Sequence, residues 1–332
     1  MPGGHRLHVA FLGAGHIAGV HARHLKPSDD VRVSFASRDL ARAEALRARR
    51  DGERAYGSYD EALADPDVDA VVVSVPPVHH RELTSRAIAA GKHVLVEKPA
   101  FLTLEDYDAV IAERDAAGVA VIVGENDHYK PQLVTLRSML GSGVIGDMVM
   151  VSLVTVADKP KAAGDWRNDE TMAGGDAFFE EGIHWLHVAG ELGPRLVAAT
   201  GLRPTAAPDP AGDRRSRSMV VGLTYDSGAT GALLYSREVP SLLRGIRTSK
   251  LYGREGVITF ESNGAGAVAR GRGRPRVHVP GPAELRDVRG YKAMYADFVA
   301  AVREGRQPSM SVERAREDHV LMEMVRRGDH GG

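Results

Sequence analysis

The sequence predicts an α/β protein with two domains: a doubly wound parallel sheet, followed by an α+β domain built on an open, mostly antiparallel sheet. Its 332 residues are enough for two domains at roughly 150 residues each. Short β-branched runs alternate with amphipathic helices as far as residue 125, a pattern typical of β-α-β units. Beyond that point most strands follow one another across Gly-containing turns, as in antiparallel sheets. We therefore expect domains at 1–125 and 126–332.

Composition narrows the class of protein and its partners. A hydrophobic content of 43% allows ordinary buried cores, and a net charge of −1 gives no general positive field for nucleic acid or an anionic membrane. The absence of cysteine excludes a disulfide framework and thiolate metal sites. The first residues lack a signal-peptide core, and no apolar run reaches the roughly 18 to 20 residues that span a bilayer. We expect a cytoplasmic protein without nucleic-acid or membrane partners.

The first domain reads as strands separated by helices. The predicted strands are 7–12, 31–36, 70–75, 93–96 and 119–123, and the predicted helices are 17–25, 40–49, 81–90 and 104–117. Gly91 and Gly118 stand where helix C-caps are expected, because glycine adopts the left-handed conformation without strain. This order predicts a parallel sheet with helices packed on its faces.

The second domain reads as a run of strands with few helices. The predicted strands are 147–157, 196–203, 218–225, 229–237, 248–253 and 257–261, and the predicted helices are 132–140, 177–192, 290–304 and 311–327. The polar segment 205–218 is predicted to be disordered. The arginine–glycine run from Arg270 to Arg276 resembles a basic minor-groove hook, but its place between candidate strands of a neutral protein favours a solvated hairpin loop.

A glycine-rich turn follows the first strand and opens the first helix. Residues 13–18 read Gly-Ala-Gly-His-Ile-Ala, the G-x-G-x-x-A pattern of Rossmann dinucleotide-binding domains. The first glycine allows the tight turn, and the second lets a pyrophosphate approach the N–H groups at the helix N-terminus. The alternative is a glycine turn of another α/β fold. The predicted dinucleotide contacts here are Gly13, Gly15, His16 and Ile17.

The end of the second strand indicates which dinucleotide binds. An NAD site usually carries an acidic residue here, whose carboxylate accepts hydrogen bonds from the ribose hydroxyls. This chain has Ser37 followed by Arg38, so a 2′-phosphate would meet a hydroxyl and a guanidinium. We expect NADP(H) to be preferred, with NAD(H) also possible. The alternative makes Arg38 a solvated residue at a helix start and Asp39 the helix N-cap.

Three further segments carry a resemblance to a known family. They are Gly-Lys-His-Val-Leu-Val-Glu-Lys-Pro at 91–99 with Pro-Pro-Val-His-His at 76–80, Trp-Arg at 166–167, and Gly-Gly-Asp-Ala-Phe-Phe-Glu-Glu-Gly-Ile-His at 174–184. Together they resemble the Gfo/Idh/MocA oxidoreductases over nearly the whole chain. The resemblance implies a Rossmann domain, an open-faced second domain and a nicotinamide lying between them.

The resemblance also implies roles for single residues. It implies that Lys98 lies near the nicotinamide and the reacting oxygen, and that His184 exchanges a proton with that oxygen. The remaining cofactor or substrate neighbours that it implies are Pro76, His80, Trp166 and Arg167. Glu97 is predicted to be a positioning partner in the cofactor site. The chain departs from the family pattern at Glu180 and His187, where aspartates are common.

The spacing of these residues gives a chemical reason for the same roles. Hydride transfer to or from a carbinol carbon needs a group that moves the hydroxyl proton and a group that stabilises charge on oxygen. On a continuous helix Glu180, His184 and His187 form one stripe, so the carboxylate of Glu180 could fix the tautomer of His184. The alternatives are a polar helix face and, for Lys98, a lysine pointing to solvent. We predict Lys98, His184 and Glu180 as the catalytic set.

A polar cluster, Glu-Asn-Asp-His-Tyr at 125–129, follows the last strand of the first domain, at the sheet edge where ligands of open α/β folds bind. It is either a sugar-binding segment or an ordinary linker between domains. The predicted substrate-binding residues are Lys98, Asn126, His128, Tyr129, Arg167, His184 and His187. No H-x-x-x-H motif stands with a third ligand at a suitable spacing, so no metal is expected.

These observations predict an NADP(H)-dependent oxidoreductase acting on CH–OH groups of a sugar, cyclitol or related polyol. Two alternatives stay open: a glycoside-cleaving enzyme of the same family that recycles its nicotinamide, and a cofactor-sensing regulator without catalysis. Retention of both Lys98 and His184 argues against the sensor. The resemblance and the apolar alternation at Val221, Leu223, Tyr225, Ala232 and Leu234 predict a homodimer or homotetramer formed through an exposed face of the second sheet.

Overall fold

The computed structural model describes residues 6–25, 30–159, 161–162, 164–204, 217–240 and 247–329. Most of the segment predicted to be disordered, 205–216, lies outside these residues, and Ser218 begins a strand. Within the described part of the chain, no helix is long and apolar enough to cross a membrane.

The chain forms two compact units. The first comprises residues up to Asn126 together with Tyr291–Arg316, and the second comprises Asp127–Gly290 together with the residues from Glu317 onward. The first boundary lies within one residue of the predicted one. The return of 291–316 to the first unit was not predicted; there, Ser311 pairs with Ile122, and Arg114 forms a salt bridge with Glu313 at 2.6 Å.

The first unit is a parallel sheet in the order β3-β2-β1-β4-β5-β6, the strand order of Rossmann domains. Its strands are β1 Leu7–Leu12, β2 Val31–Ala36, β3 Ala55–Tyr56, β4 Ala70–Val73, β5 His93–Val96 and β6 Val121–Val123. Every residue of β1 and β4 is buried, as expected for strands covered on both faces. The predicted strands are confirmed, and only the two-residue edge strand β3 was missed.

Helices follow the strands of this unit as predicted. They are α1 His16–His24, α2 Leu40–Arg50, α3 Tyr59–Ala64, α4 His80–Ala89 and α5 Leu104–Ala117. Local sequence fixes the ends of α5: the Thr103 hydroxyl accepts the N–H of Asp106 at 3.2 Å, and Gly118 takes the left-handed conformation at φ 65°. The short helix α3 was not predicted, because six residues carry too little periodicity.

The second unit is built on a sheet of eight described strands. These are β7 Met148–Val156, β8 Leu196–Leu202, β9 Ser218–Tyr225, β10 Thr230–Ser236, β11 Thr248–Gly253, β12 Gly256–Glu261, β13 Ala267–Arg270 and β14 Arg276–His278. The order is β14-β13-β12-β11-β7-β10-β9-β8, and every pair is antiparallel except β7 with β10. The mostly antiparallel sheet is thus confirmed. The arginine–glycine run is the exposed turn of the β13–β14 hairpin, as predicted.

The helices of the second half are α6 Pro131–Gly141, α7 Glu170–Ala173, α8 Ile183–Glu191, α9 Pro282–Leu285, α10 Tyr291–Glu304 and α11 Val312–Gly328. Of these, α10 belongs to the first unit, and α11 begins in the first unit and ends in the second. The helix predicted at 177–192 is not one continuous α-helix. A π-helical turn at Phe178–Gly182 precedes α8, so the regular i, i+4 spacing of an α-helix does not hold across it.

The apolar face of the second sheet differs from the prediction. Val221, Leu223 and Tyr225 are each 2% exposed or less, and the Tyr225 hydroxyl donates to the carbonyl of Ala189 in α8 at 3.1 Å. Alternation with period two predicts two faces but not which face a helix covers. Leu234 lies on the other face and is 41% exposed, next to Val220 in the ladder. The exposed apolar face therefore carries Leu202, Val220 and Leu234, so the prediction is correct for Leu234 and wrong for the three residues of β9.

Candidate active site

The glycine turn has the geometry that its sequence predicts. Gly13 has φ 113°, and a Cβ there would lie 2.7 Å from the carbonyl oxygen of Ser74, so only glycine fits. Gly15 is the N-cap of α1, and a Cβ at this residue would point into open space. The N–H groups at the start of α1 are therefore accessible to an anion.

A cavity of about 280 Å³ opens at this turn. Its lining residues are Ala14, Gly15, His16, Arg42, Ala45 and Arg49. The two arginines come from α2 and bring positive charge to the helix N-terminus of α1, so the cradle fits a dinucleotide pyrophosphate. Arg42 and Arg49 were not predicted as cofactor neighbours, although their i, i+7 spacing on one helix was a usable signal.

The end of β2 carries the residues on which the predicted cofactor preference depends. Ser37 is buried, and its Oγ accepts the N–H of Asp39 at 3.1 Å. The carboxylate of Asp39 caps α2 by accepting the N–H of Ala41 at 3.1 Å. Arg38 is exposed and hydrogen-bonds the hydroxyl of Tyr59, whose pKa burial raises despite this contact. Asp39, the acidic residue next to Arg38, is therefore the N-cap of α2, as the alternative interpretation predicted.

His80 connects two loops at the carboxyl edge of the parallel sheet. Its Nδ1 lies 2.9 Å from the carbonyl oxygen of Pro99, and its Nε2 lies 2.8 Å from that of Val75. Burial is the largest cause of the lowered pKa of His80, although the carbonyl groups at its two ring nitrogens act in the opposite direction. Pro76, the residue after Val75, is half-buried. The cofactor contact predicted for His80 stays a prediction, and its visible role is to hold the segment after Lys98.

A buried polar network supports Lys98. The ring Nε2 of His21 binds Oε1 of Glu97, and the Tyr295 hydroxyl lies 2.6 Å from Nδ1 of His21. The other carboxylate oxygen of Glu97 accepts the N–H of Lys98 at 3.0 Å. Burial alone would raise the pKa of Glu97, but His21 and Lys98 together lower it, so the carboxylate is ionised. Lys98 itself is half-buried.

His21 and Tyr295 were not predicted. His21 lies on α1, directly after the glycine turn, and Tyr295 lies on α10. A histidine on an apolar helix face and a tyrosine some 270 residues later carry no joint sequence signal. The network explains the positioning role predicted for Glu97.

In the second unit, Trp166 and Arg167 begin a short 3₁₀ helix. The guanidinium of Arg167 binds Asp165 through two donors, Nε at 2.9 Å and an η nitrogen at 2.5 Å, and lies 5.8 Å from the Trp166 ring centre. The hydrogen bond from Arg167 is the largest cause of the lowered pKa of Asp165. Arg167 is thereby held in one orientation.

The π turn carries two adjacent glutamates that share an arginine. An η nitrogen of Arg237 donates to Oε2 of Glu180 at 2.8 Å, and its Nε lies 2.8 Å from Oε2 of Glu181. Arg237 is 5% exposed; burial alone would lower its pKa, but Glu181 and Glu180 help to raise it, so it stays charged. Lys159 also binds Glu181, at 2.6 Å. The α-helical stripe predicted for Glu180 and His184 is thus interrupted, and the carboxylate of Glu180 binds Arg237.

The turn Asn126–Tyr129 and helix α8 meet through histidines. His128 Nδ1 lies 3.1 Å from His187 Nε2, and His187 Nδ1 lies 2.8 Å from Oδ2 of Asp318. His187 is 0% exposed with both ring nitrogens occupied, so the substrate contact predicted for it does not fit its surroundings. His128 and Tyr129 are half-buried, and Asn126 is buried.

His128, His187 and Glu191 are close enough together to resemble a metal ligand set. The guanidinium of Arg137 binds the carboxylate of Glu191, and one of its nitrogens lies 3.4 Å from His128 Nδ1. The cation beside these three groups is therefore an arginine of the chain itself.

Comparison with known proteins identifies the family. Residues 7–125 match the family described as "Oxidoreductase family, NAD-binding Rossmann fold", and residues 133–259 match its C-terminal domain, described as "GFO/IDH/MocA C-terminal domain". A myo-inositol 2-dehydrogenase of Thermotoga maritima is 30% identical over 238 residues, which are 70% of this chain and 69% of that protein. The chain belongs to the Gfo/Idh/MocA oxidoreductase family. It is accordingly an NAD(P)-dependent oxidoreductase, as its sequence predicted.

Solved structures of similar Gfo/Idh/MocA fold cover almost the whole chain. KijD10, a 3-ketoreductase from Actinomadura kijaniata in complex with NADP, has a TM-score of 0.80 and 25% identity, with 98% of each chain covered. GenD2 from gentamicin A biosynthesis, in complex with NAD, has a TM-score of 0.82 and 27% identity, with 97% of this chain and 94% of that chain covered. Among curated relatives the match spans from 46% to 72% of the relative's length. Both dinucleotides therefore occur among the neighbours.

Proposed function

We propose that the protein transfers a hydride between NADP(H) and the hydroxyl or ketone carbon of a sugar, cyclitol or related polyol. The observation that carries the proposal is that this family member keeps Lys98 and His184 as well as an open glycine turn. The names of its relatives support the substrate class: a myo-inositol dehydrogenase and a 3-ketoreductase act on hydroxyl or ketone carbons.

The residues of the first unit fit NADP(H). Gly15 and the start of α1 would hold the pyrophosphate, with charge from Arg42 and Arg49. Ser37 and Arg38 would contact the 2′-phosphate, since Asp39 is occupied in capping α2. When bound, the nicotinamide supplies or accepts the hydride.

The chain's own acid–base groups would move the proton. In the oxidising direction His184 takes the proton of the substrate hydroxyl, and in the reducing direction it returns that proton. Lys98 stabilises negative charge on the same oxygen, and its backbone is held by the ionised carboxylate of Glu97. Arg167, fixed by Asp165, and His128 and Tyr129 would bind further hydroxyl groups of the substrate.

The test is a panel of sugars, cyclitols and ketosugars with NADPH and NADH, followed by the absorbance of reduced nicotinamide. We expect turnover with at least one polyol class. His184→Asn should lower kcat by about 100-fold to 10,000-fold with cofactor affinity unchanged, and Lys98→Ala should lower kcat far more than it weakens cofactor binding. Release of free sugar from glycosides without net cofactor turnover would replace this proposal with glycoside cleavage. Near wild-type turnover in His184→Asn would remove His184 from the proton transfer.

We also propose that the protein self-associates through the exposed apolar face that carries Leu202, Val220 and Leu234. Register places these three side chains next to one another across three strands. A row of exposed apolar residues across an open sheet is typical of a surface that a second subunit covers.

A further inference from the structure

The carboxylates of the π turn are already matched with cations. Glu180 and Glu181 both bind the buried guanidinium of Arg237, and Glu181 also binds Lys159. Lys161 lies near the same group, and its pKa is lowered by burial and by the charge of Arg237. The negative charge of Glu180 is therefore balanced by the basic residues around it. The family pattern places an acidic residue four positions before His184, but this position alone does not make Glu180 the partner of that histidine.

A different carboxylate lies beside His184. A carboxylate oxygen of Asp127 and a ring nitrogen of His184 lie within 4.8 Å of each other, and a carboxylate oxygen of Glu125 lies within the same distance of both. Asp127 is buried, and its Oδ2 lies 2.6 Å from the ammonium of Lys130, in the next turn of the chain. At this separation a carboxylate favours the charged form of a neighbouring imidazole. Asp127 was part of the polar cluster recognised in the sequence, but it was not predicted to be a site residue.

Neighbouring contacts fix this arrangement. His184 and His187 are three residues apart on α8 and so share one helix face. Two consecutive residues of the turn Asn126–Tyr129 face these histidines. Asp127 lies near His184, and Nδ1 of His128 lies 3.1 Å from Nε2 of His187. The buried Asp318 holds His187 from behind at 2.8 Å. Rotation of α8 that moved His184 away from Asp127 would also break the contacts of His187.

Arg137 ties the turn to the helix a second time. One of its η nitrogens donates to the carbonyl of His128 at 3.4 Å, and the other binds Glu191 at the end of α8. The turn and α8 are thus joined at His187 and at Glu191, on the C-terminal side of His184. The approach of Asp127 to His184 follows from packing and not from one flexible side chain.

We propose that Asp127, rather than Glu180, is the positioning residue that orients His184 and stabilises its imidazolium during proton transfer. The inference rests on the proposed function. In oxidation the substrate O–H bond breaks and an N–H bond forms on His184, so positive charge appears on the imidazole next to the carboxylate of Asp127. In reduction the same proton returns to the oxygen. Lys130 binds Oδ2 of the same carboxylate at 2.6 Å and so holds it in place.

The test compares two isosteric amide variants, Asp127→Asn and Glu180→Gln, in the pH profile of kcat. Asp127→Asn should lower the apparent pKa on the acidic limb by about one unit and kcat by about 10-fold, since a neighbouring opposite charge typically shifts a pKa by 1 to 3 units. Glu180→Gln should leave that pKa within about 0.3 units. Asp127→Glu, which keeps the charge, should recover at least part of the shift. A shift in Glu180→Gln with none in Asp127→Asn, or no shift in either, overturns the inference.

A measurement without turnover separates this inference from the proposed function. NMR titration of the His184 ring in the enzyme without substrate should show the same fall in pKa for Asp127→Asn, whether or not any sugar is converted. If Asp127→Asn does not fold, the pairing can be tested in the wild-type enzyme labelled with ¹³C-aspartate. The chemical shift of the Asp127 carboxyl carbon should then change over the same pH range in which His184 titrates. A carboxyl chemical shift that does not change over that pH range refutes the pairing of Asp127 with His184. A coupled titration together with an inactive substrate panel refutes only the proposed function.

Discussion

Replacement of His21 by leucine should make the stability of the first unit depend on pH in a new way. His21 is buried, and its two ring nitrogens bind Glu97 and Tyr295. Leucine fills much of the same space but leaves the carboxylate of Glu97 with the Lys98 N–H as its remaining hydrogen bond. Breaking a buried charged pair by removing one partner costs about 3–5 kcal/mol, because the remaining buried charge loses its strongest stabilising partner.

The sign of the pH dependence follows from Glu97. In the wild type its pKa lies below the ordinary value of 4.5, so its contribution to stability is present above pH 4.5 and is lost as the pH falls through the lower, folded value. In His21→Leu, burial should dominate and raise the pKa of Glu97 above 4.5. The variant then gains relative stability as the pH falls, because a protonated Glu97 no longer places a charge in the core. The difference in unfolding free energy between the two proteins should be largest near pH 7 and shrink towards pH 4.

Urea unfolding at several pH values measures this difference. Far-UV circular dichroism follows both units, whereas tryptophan fluorescence follows only the second, since both tryptophans, Trp166 and Trp185, lie there. Tyr295→Phe is the matched control: it removes the hydroxyl bound to His21 but keeps the contact of His21 with Glu97. Tyr295→Phe should lower the free energy of unfolding by only about 1–3 kcal/mol, and this loss should not shrink as the pH falls. A deficit in His21→Leu that stays constant from pH 7 to pH 4 would refute the reasoning.

Two further outcomes are expected. Ser37→Asp should reverse the cofactor preference from NADPH towards NADH by at least about 10-fold in the ratio of dissociation constants, because a carboxylate repels the 2′-phosphate and accepts ribose hydroxyls; an unchanged ratio in binding titrations would contradict this. Leu234→Asp should shift the protein to a smaller species in light scattering, whereas Val239→Asp, an equally exposed position after the end of β10, should not; equal behaviour of the two variants would exclude this face as the interface.

The fold of the first unit could be read from the sequence almost completely. Buried parallel strands such as β4 are continuous β-branched runs, and helix ends such as Thr103 and Gly118 carry local capping chemistry. These signals are contained in a few neighbouring residues. The return of α10 to the first unit was not predicted, because the contact of Tyr295 with His21 joins residues far apart in the chain.

In the second unit, the periodicity of apolar residues predicts the strands but not which face of the sheet is covered. Its strands were found because alternation of apolar residues is local. The exposed face was predicted correctly for Leu234 but wrongly for the apolar residues of β9, because only the position of α8 decides which face is buried. The π turn at Phe178–Gly182 was likewise invisible to a count based on 3.6 residues per turn. That single irregularity interrupts the stripe from which the role of Glu180 was inferred.

For the site, the sequence by itself determined the chemical types: a glycine turn for a dinucleotide, a serine–arginine pair at the end of β2, and the candidate acid–base residues Lys98 and His184. Each belongs to a short motif whose meaning depends on neighbouring residues. Only the tertiary structure decided the partners, which are Glu97 with His21, Glu180 with Arg237, and Asp127 beside His184. Electrostatic partners are chosen by distance in space, and distance between remote segments is fixed by packing and not by the local pattern of residues.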